Sequence, residues 1–259
     1  MKKLAIASAL LSAVALTGTA AHAYQAEVGA SAGLVDPDNG SSSGSFGVEG
    51  TYYFNPVQTR NSPLAEAAFL DRASNVKAEY EYQEVGDSEA HRYGVGAEVF
   101  VPNSDFYLSG KVSGHDFQDN NELDNDLTTY AAEVGYLPAP GLLIAAGVKG
   151  WDNDRDDGVD PTLRAKYVTT LANGKDINLE AGAAFGDLDE YNVKADYFID
   201  KTLSVGADYQ SNDITDRSEF GVSARKFFTP QVSLEGRVGF GEVGNNDYNK
   251  FGVAAKYRF

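Results

Sequence analysis

The 259-residue sequence contains no cysteine, one methionine and one tryptophan. Without cysteine there is no disulfide framework, thiolate zinc site, cysteine nucleophile or lipidated-cysteine anchor. Basic residues are scarce as well: 21 Lys and Arg stand against 38 Asp and Glu, a formal charge of −17. General nucleic-acid binding needs clustered Lys and Arg and is excluded on that ground. Past residue 23 no apolar run approaches the roughly 20 residues of a spanning helix. Abundance lies elsewhere, in 15 Tyr, 14 Phe and 27 Gly. An acidic disordered chain would be poor in aromatics, and this much glycine suits a helical bundle badly. An all-β chain with acidic loops fits the composition, and its length allows one large domain.

Residues Met1–Ala23 read as a targeting segment. Lys2 and Lys3 give the positive start, Leu4–Leu16 is uncharged and mostly apolar, and Ala21-His22-Ala23 is a small-x-small cleavage signal. The apolar part is too short to span a bilayer as a helix. The expected division is a signal peptide over residues 1–23, cleaved after Ala23, and an exported mature chain over residues 24–259.

From Tyr24 onward the pattern is alternation, about ten residues at a time, which marks half-exposed strands. Tyr24, Ala26, Val28, Ala30, Ala32 and Leu34 share one face, while Gln25, Glu27 and Ser31 share the other. The pattern returns at Phe46–Phe54, Val76–Tyr82, Arg92–Val101, Phe106–His115, Tyr130–Leu137, Leu142–Lys149 and Leu163–Tyr167. It continues at Ile177–Phe185, Tyr191–Ile199, Leu203–Gln210, Glu219–Arg225, Val232–Phe240 and Lys250–Phe259. That makes fourteen segments, and their apolar faces carry no charge.

A soluble sandwich also alternates, so three further features decide. Aromatics gather near both ends of the apolar stripes: Tyr24, Phe54, Phe106, Tyr136, Tyr197 and Tyr257 at one, Phe46, Tyr82, Tyr93, Tyr130, Tyr191, Phe220 and Phe251 at the other. Two ring levels suit two membrane–water interfaces. Connections alternate in length: tight turns such as Pro102-Asn103-Ser104 and Asp200-Lys201-Thr202 against longer stretches such as Asp36–Ser45, Asp116–Thr128, Asp152–Pro161 and Gly241–Asn249. Outer-membrane barrels place short turns on the periplasmic side and long loops outside. Finally, the chain ends on an apolar alternation closing at Tyr257 and Phe259, which resembles the signal read by the barrel-assembly machinery. The expected fold is a transmembrane, antiparallel, up-and-down β-barrel of about 14 strands. It becomes 12 if the two shortest segments, Leu163–Tyr167 and Glu219–Arg225, are not strands.

Three sequence stretches carry a family resemblance: Thr51-Tyr52-Tyr53-Phe54-Asn55-Pro56-Val57, Ser62–Leu70, and the Tyr257-Arg258-Phe259 terminus. With them the chain resembles the general porins of gamma-proteobacterial outer membranes. The resemblance implies a channel-forming barrel in the cell outer membrane and supplies no catalytic residues.

Sorting the charges by region gives the acidity a location. The inward face carries 11 acids and 12 bases, while the long loops hold 22 acids and two bases, Arg155 and Arg217. The lumen is nearly neutral and the mouth is acidic, which predicts a mild cation preference through focusing of the field. The expected function is passive diffusion of small hydrophilic solutes or ions through a water-filled lumen. Lys77, Glu79, Glu81, Lys111, Arg164, Lys166, Lys194 and Asp196 are the expected pore-lining set, since charges recur there at successive inward positions or near mid-strand. The rival is a non-conducting structural or adhesive barrel. Expected partners are outer-membrane lipid and lipopolysaccharide, the assembly machinery and the solutes; oligomeric state is open.

Sharper chemistry finds less support. Asp152–Gly158 departs from the helix–loop–helix calcium motif, with Asp157 where Gly belongs and Leu163 where the bidentate Glu belongs. His91 and His115, with Ser88, Asp87 and Asp116 nearby, accompany no nucleophile motif, so no enzyme, metal site or cofactor is expected. The connection after the second strand stands apart. Pro63–Ala73 reads as a short helix with Ser62 as its cap, Glu66 in the first turn and an apolar face of Leu64, Ala67, Ala68 and Leu70. It has two possible placements, packed at the periplasmic rim, the preferred one, or folded inward to narrow the pore.

Overall fold

The computed structural model describes residues 23–85, 88–118, 125–153, 156–186, 189–213 and 216–259. The targeting segment up to His22 lies outside them. Fourteen antiparallel strands follow one another: β1 (Ala23–Pro37), β2 (Ser43–Gln58), β3 (Asn75–Val85), β4 (Ser88–Phe100), β5 (Phe106–Gln118), β6 (Asn125–Ala139) and β7 (Leu142–Asn153). The second half is β8 (Asp157–Thr170), β9 (Asp176–Ala184), β10 (Glu190–Asp200), β11 (Leu203–Asn212), β12 (Arg217–Phe227), β13 (Val232–Val243) and β14 (Asn246–Arg258). Each strand pairs with its sequence neighbours, and β1 pairs with β14 to close the barrel. Closure leaves no sheet edge and satisfies every ladder, as hydrocarbon surroundings demand. The two segments in doubt from sequence are full strands, β8 and β12, so the count is fourteen.

The alternation has its expected meaning along the middle of each strand. Leu34, Val95, Val134, Leu163, Val193 and Val253 are each more than half exposed. They form a continuous apolar outer band, which would be an insoluble surface in water and is the required one in lipid. The aromatic levels are present as well: Phe54, Phe106 and Tyr136 stand exposed towards one end, and Tyr93, Tyr130, Tyr191, Phe220 and Phe251 towards the other.

Two expectations change. Tyr24 does not join the outer belt. The β1–β2 register shifts between Tyr24 and Ala26, and this irregularity turns the Tyr24 ring into the barrel, where it is 6% exposed and meets Tyr53 edge-on at 5.5 Å. The long connections are also shorter than their composition suggests. Strand β13 runs on to Val243 and β14 begins at Asn246, leaving two residues between them. Likewise β1 reaches Pro37 and β2 starts at Ser43. Ladder hydrogen bonds are made by backbone, so polar residues extend the hairpins past the apolar band.

Candidate functional site

Inward positions meet side by side along fixed rows of the sheet. One row runs Ala254, Ser31, Gly47, Glu81, Arg92, His115 across β14, β1, β2, β3, β4 and β5. The row nearer the short-turn end runs Lys256, Gly29, Glu49, Glu79, Gly94, Ser113 on the same strands. Opposite charges on neighbouring rows pair. Lys111 reaches Glu79 at 2.6 Å, Lys77 lies 3.5 Å from Glu79 and 3.0 Å from Glu49, and Lys256 holds Glu49 at 2.6 Å and Glu27 at 3.4 Å. Arg258 closes the series on Glu27 at 2.5 Å. Charges that would be costly alone in a low-dielectric wall are compensated in a chain.

The other half of the lumen is built the same way. Arg164 grips Glu133 with Nη2 at 2.6 Å and also reaches the Tyr107 hydroxyl at 3.2 Å. That hydroxyl donates to Glu98 at 2.8 Å. Lys194 lies 3.2 Å from Asp196, which accepts from Asn178 at 3.0 Å. Arg225 pairs with Glu235, and towards the loop end Arg237 bridges Asp208 and Glu219, each at 2.5 Å. All eight residues expected to line the pore face the interior and are ion-paired. Glu81 belongs to the loosest of these pairs, 3.9 Å from Arg92. Three residues assigned to the loops from sequence also turn inward: Glu190 binds Lys149 at 2.5 Å, Arg217 binds Glu219 at 2.7 Å, and Asp160 is buried.

The connection between β2 and β3 crosses the short-turn end of the barrel. A 3-10 turn, Leu64–Glu66, runs into a one-turn helix α1, Ala67–Leu70. Ser62 is not its cap: no side-chain cap bond exists, and Pro63 occupies the cap position. This strap lies across the short-turn end and is tied to elements on several sides of the barrel. Leu64 N–H donates to the Lys201 carbonyl between β10 and β11 at 2.8 Å, and Arg258 Nη1 donates to the Leu64 carbonyl at 2.8 Å. Glu66, expected only to favour a helix dipole, is 6% exposed and pairs with Lys166 of β8 at 2.8 Å. Lys166 also holds Glu180 at 2.9 Å and sits 4.9 Å from the Phe69 ring centroid. Past the helix, Arg72 binds Asp105 at 2.9 Å, in the turn between β4 and β5.

Beneath these ties lies the apolar packing of the molecule. Tyr24, Tyr53, Val57, Ala67 and Ala73 form one buried cluster, and Phe100, Tyr107, Leu137 and Leu143 form another against Phe69. Arg258 is stacked between the rings of Tyr24 and Phe227, at 4.5 and 4.6 Å. Sequence reasoning passed over these inward apolar residues, although a signal exists. At this end the alternation doubles, in Tyr52-Tyr53, Val99-Phe100, Phe106-Tyr107, Tyr136-Leu137 and Tyr197-Phe198. In these pairs Tyr53, Phe100, Tyr107, Leu137 and Phe198 are the buried members.

The two histidines near the loop end do not share a site. His91 and His115 lie on opposite faces of the wall: His91 shares a hydrogen bond with Tyr80 at 2.8 Å, and His115 with Arg92 at 3.3 Å. Asp87, and Asp154 and Arg155 of the acidic stretch, lie outside the described residues. Among the described residues no group of three or more potential metal ligands occurs.

A closed fourteen-stranded barrel with an apolar exterior and a charged lumen has the architecture of outer-membrane β-barrels. The chain matches the family described as "Putative general bacterial porin" over residues 1–156 and 145–259, and it belongs to that family. Among solved structures it is similar to the outer membrane protein Omp33 of Acinetobacter baumannii, with 30% identity and a TM-score of 0.70, covering 92% of this chain and 99% of that one. A deletion mutant of the monoaromatic hydrocarbon channel TodX shares the fold alone, with 9% identity, a TM-score of 0.52 and coverage of 92% and 91%. No curated protein matches the chain in sequence. In barrels of this kind the short-turn end is the periplasmic one.

Proposed function

We propose that this porin provides passive diffusion of small hydrophilic solutes and ions, with a mild preference for cations. The carrying observation is the lumen itself, a ring of compensated Lys, Arg, Asp and Glu side chains around polar space, with a cavity of about 350 Å³ along the β1–β4 wall. The acidic excess at the loop end supports the cation preference, because a charged mouth concentrates counter-ions within about a Debye length, ~8 Å at physiological salt. Lys77, Glu79, Glu81, Lys111, Arg164, Lys166, Lys194 and Asp196 line the route in this reading.

Residues 1–23 direct export and are removed after Ala23, and the assembly machinery reads the terminal strand. Two observations support the latter. The Tyr257 and Phe259 rings lie 6.1 Å apart, and Phe259 exchanges backbone hydrogen bonds with Ala26, so the signal strand is also the closing strand. Lipopolysaccharide meets the acidic outer mouth, through divalent ions.

The strap across the periplasmic end favours a second reading, a barrel that conducts nothing and serves as a structural or adhesive element. Planar-bilayer recording separates the two. Conductance steps with a reversal potential of cation sign under a salt gradient support the pore. An anion-sign potential removes the selectivity, and an absence of steps from both the intact chain and a variant lacking Ser62–Arg72 removes the pore.

A further inference from the structure

Among the described residues, one pair of opposite charges in the lumen stands well apart. Arg237–Asp208, Lys149–Glu190, Arg164–Glu133 and Lys111–Glu79 close at 2.5–2.6 Å. Arg92 and Glu81 stand 3.9 Å apart, with 55% and 44% of their side-chain surfaces open. At that separation in a wet lumen the pair gains little from itself, and each group keeps most of its hydrogen-bonding capacity. Both line the cavity described above, and so does the small-residue wall beside them, formed by Gly29, Ser31 and Gly47.

That wall makes room where the rest of the lumen is crossed by long paired side chains. Gly47 faces Ser31 so closely that an added Cβ would lie 2.7 Å from its hydroxyl, and a Cβ on Gly29 would lie 2.9 Å from Glu49. The charges below the notch are already satisfied: Glu49 is held by Lys77 and Lys256, and Glu79 by Lys77 and Lys111. What remains open to a ligand is therefore one guanidinium and one carboxylate, side by side, above a recess without large side chains. His115 accepts from Arg92 Nε at 3.3 Å, which steadies the guanidinium and leaves its two terminal nitrogens for an anion.

We infer that this recess is a binding site for small zwitterions of the α-amino-acid type, with the solute carboxylate on Arg92 and its ammonium on Glu81. A solute carrying both charged groups on one carbon matches both side chains at once. A simple anion or cation uses one and leaves the other facing a like charge. Binding must be weak, because a permeating solute has to leave as readily as it enters. As a route for solutes this rests on the diffusion reading above; as a site it does not.

The test uses the full-length mature barrel in detergent micelles, with ligand-observed magnetic resonance titrations of L-alanine, acetate, methylammonium and glucose. L-Alanine is expected to bind saturably, at least tenfold more tightly than the other three. Glu81→Gln and Arg92→Gln are each expected to weaken L-alanine about tenfold, the loss of one charged hydrogen bond, while Lys175→Gln in a periplasmic turn leaves it unchanged. The exchanged pair, Glu81→Arg with Arg92→Glu, is expected to regain binding, since a zwitterion can turn round. Thermal melting of every variant shows that the barrel is intact. Equal binding of glucose, no saturable binding of L-alanine, or single variants that bind like the parent overturn the site. Conductance of the same preparations is read separately: binding without conductance removes the pore and keeps the site, and conductance without binding does the reverse.

Discussion

The strap's hold on the barrel floor is testable through one carboxylate. Glu66 is the strap's buried charge, and Lys166 is its partner at 2.8 Å. Removing one member of a buried pair costs about 3–5 kcal/mol, because the other charge is left behind. Lys166 keeps Glu180 at 2.9 Å, so the lower end, about 3 kcal/mol, applies to Glu66→Gln. At about 1.4 kcal/mol per tenfold, strap release rises by roughly 100-fold. The remaining ties, Leu64 to Lys201 and Arg258 and the Phe69 packing, are unchanged in this variant. Single-channel recording should show a higher conductance level visited about 100 times more often than in the parent. That level should match the one held permanently when Ser62–Arg72 is deleted. Lys166→Gln should open the strap further, since it leaves Glu66 and Glu180 as neighbouring like charges. If the deletion opens the barrel but Glu66→Gln behaves as the parent, the ion pair is not what holds the strap. If neither opens it, the strap is not the constriction.

Other consequences follow from the same geometry. Arg258→Ala removes a buried partner of Glu27 and the filling between two rings; it should cost about 3–5 kcal/mol, read as a lower unfolding temperature of the refolded barrel. Val95→Arg places a charge at mid-strand on a side chain 62% exposed to lipid and should cost about 2–4 kcal/mol, measured by urea unfolding in lipid vesicles; a change below about 1 kcal/mol would mean that β4 does not face hydrocarbon there. Because the chain has no cysteine, single introduced thiols report access without background. Lys111→Cys, at a position 52% open, should react promptly with a charged thiol reagent added from outside. Lys166→Cys, at a position 15% open, should react only when the strap is absent; equal labelling of the two would contradict a closed floor.

The barrel was legible because its evidence is local and repeated. A period of two over each strand assigns faces residue by residue, and the charge-free face of Val95, Val134, Leu163 and Val253 stands on the outside. The lumen charges were legible for the same reason, since Lys77, Glu79 and Glu81 alternate with apolar neighbours. Their pairing was not, because Lys256 meets Glu49 and Arg258 meets Glu27 only after the last strand has closed on the first. Glu190 and Arg217 were read as loop charges because they lie beyond the apolar stripes, where backbone pairing continues without hydrophobic side chains. Tyr24 escaped because the β1–β2 register jumps by three residues between Tyr24 and Ala26, an odd shift that reverses the face of what lies beyond it.

The sequence by itself therefore determined the class of the protein: fourteen two-faced strands, an uncharged outer surface and a lumen of balanced charge. Each of these is a property of one strand or of a sum over residues, and neither needs the strands to have met. Only the tertiary structure decided what crosses the short-turn end and which charges pair. The strap is held by Lys166, Lys201, Arg258 and Asp105, which no spacing in the chain relates to Glu66, Leu64 or Arg72. Likewise, Arg92 and Glu81 are singled out only by a distance, 3.9 Å against 2.5–2.6 Å in the tight pairs of the lumen.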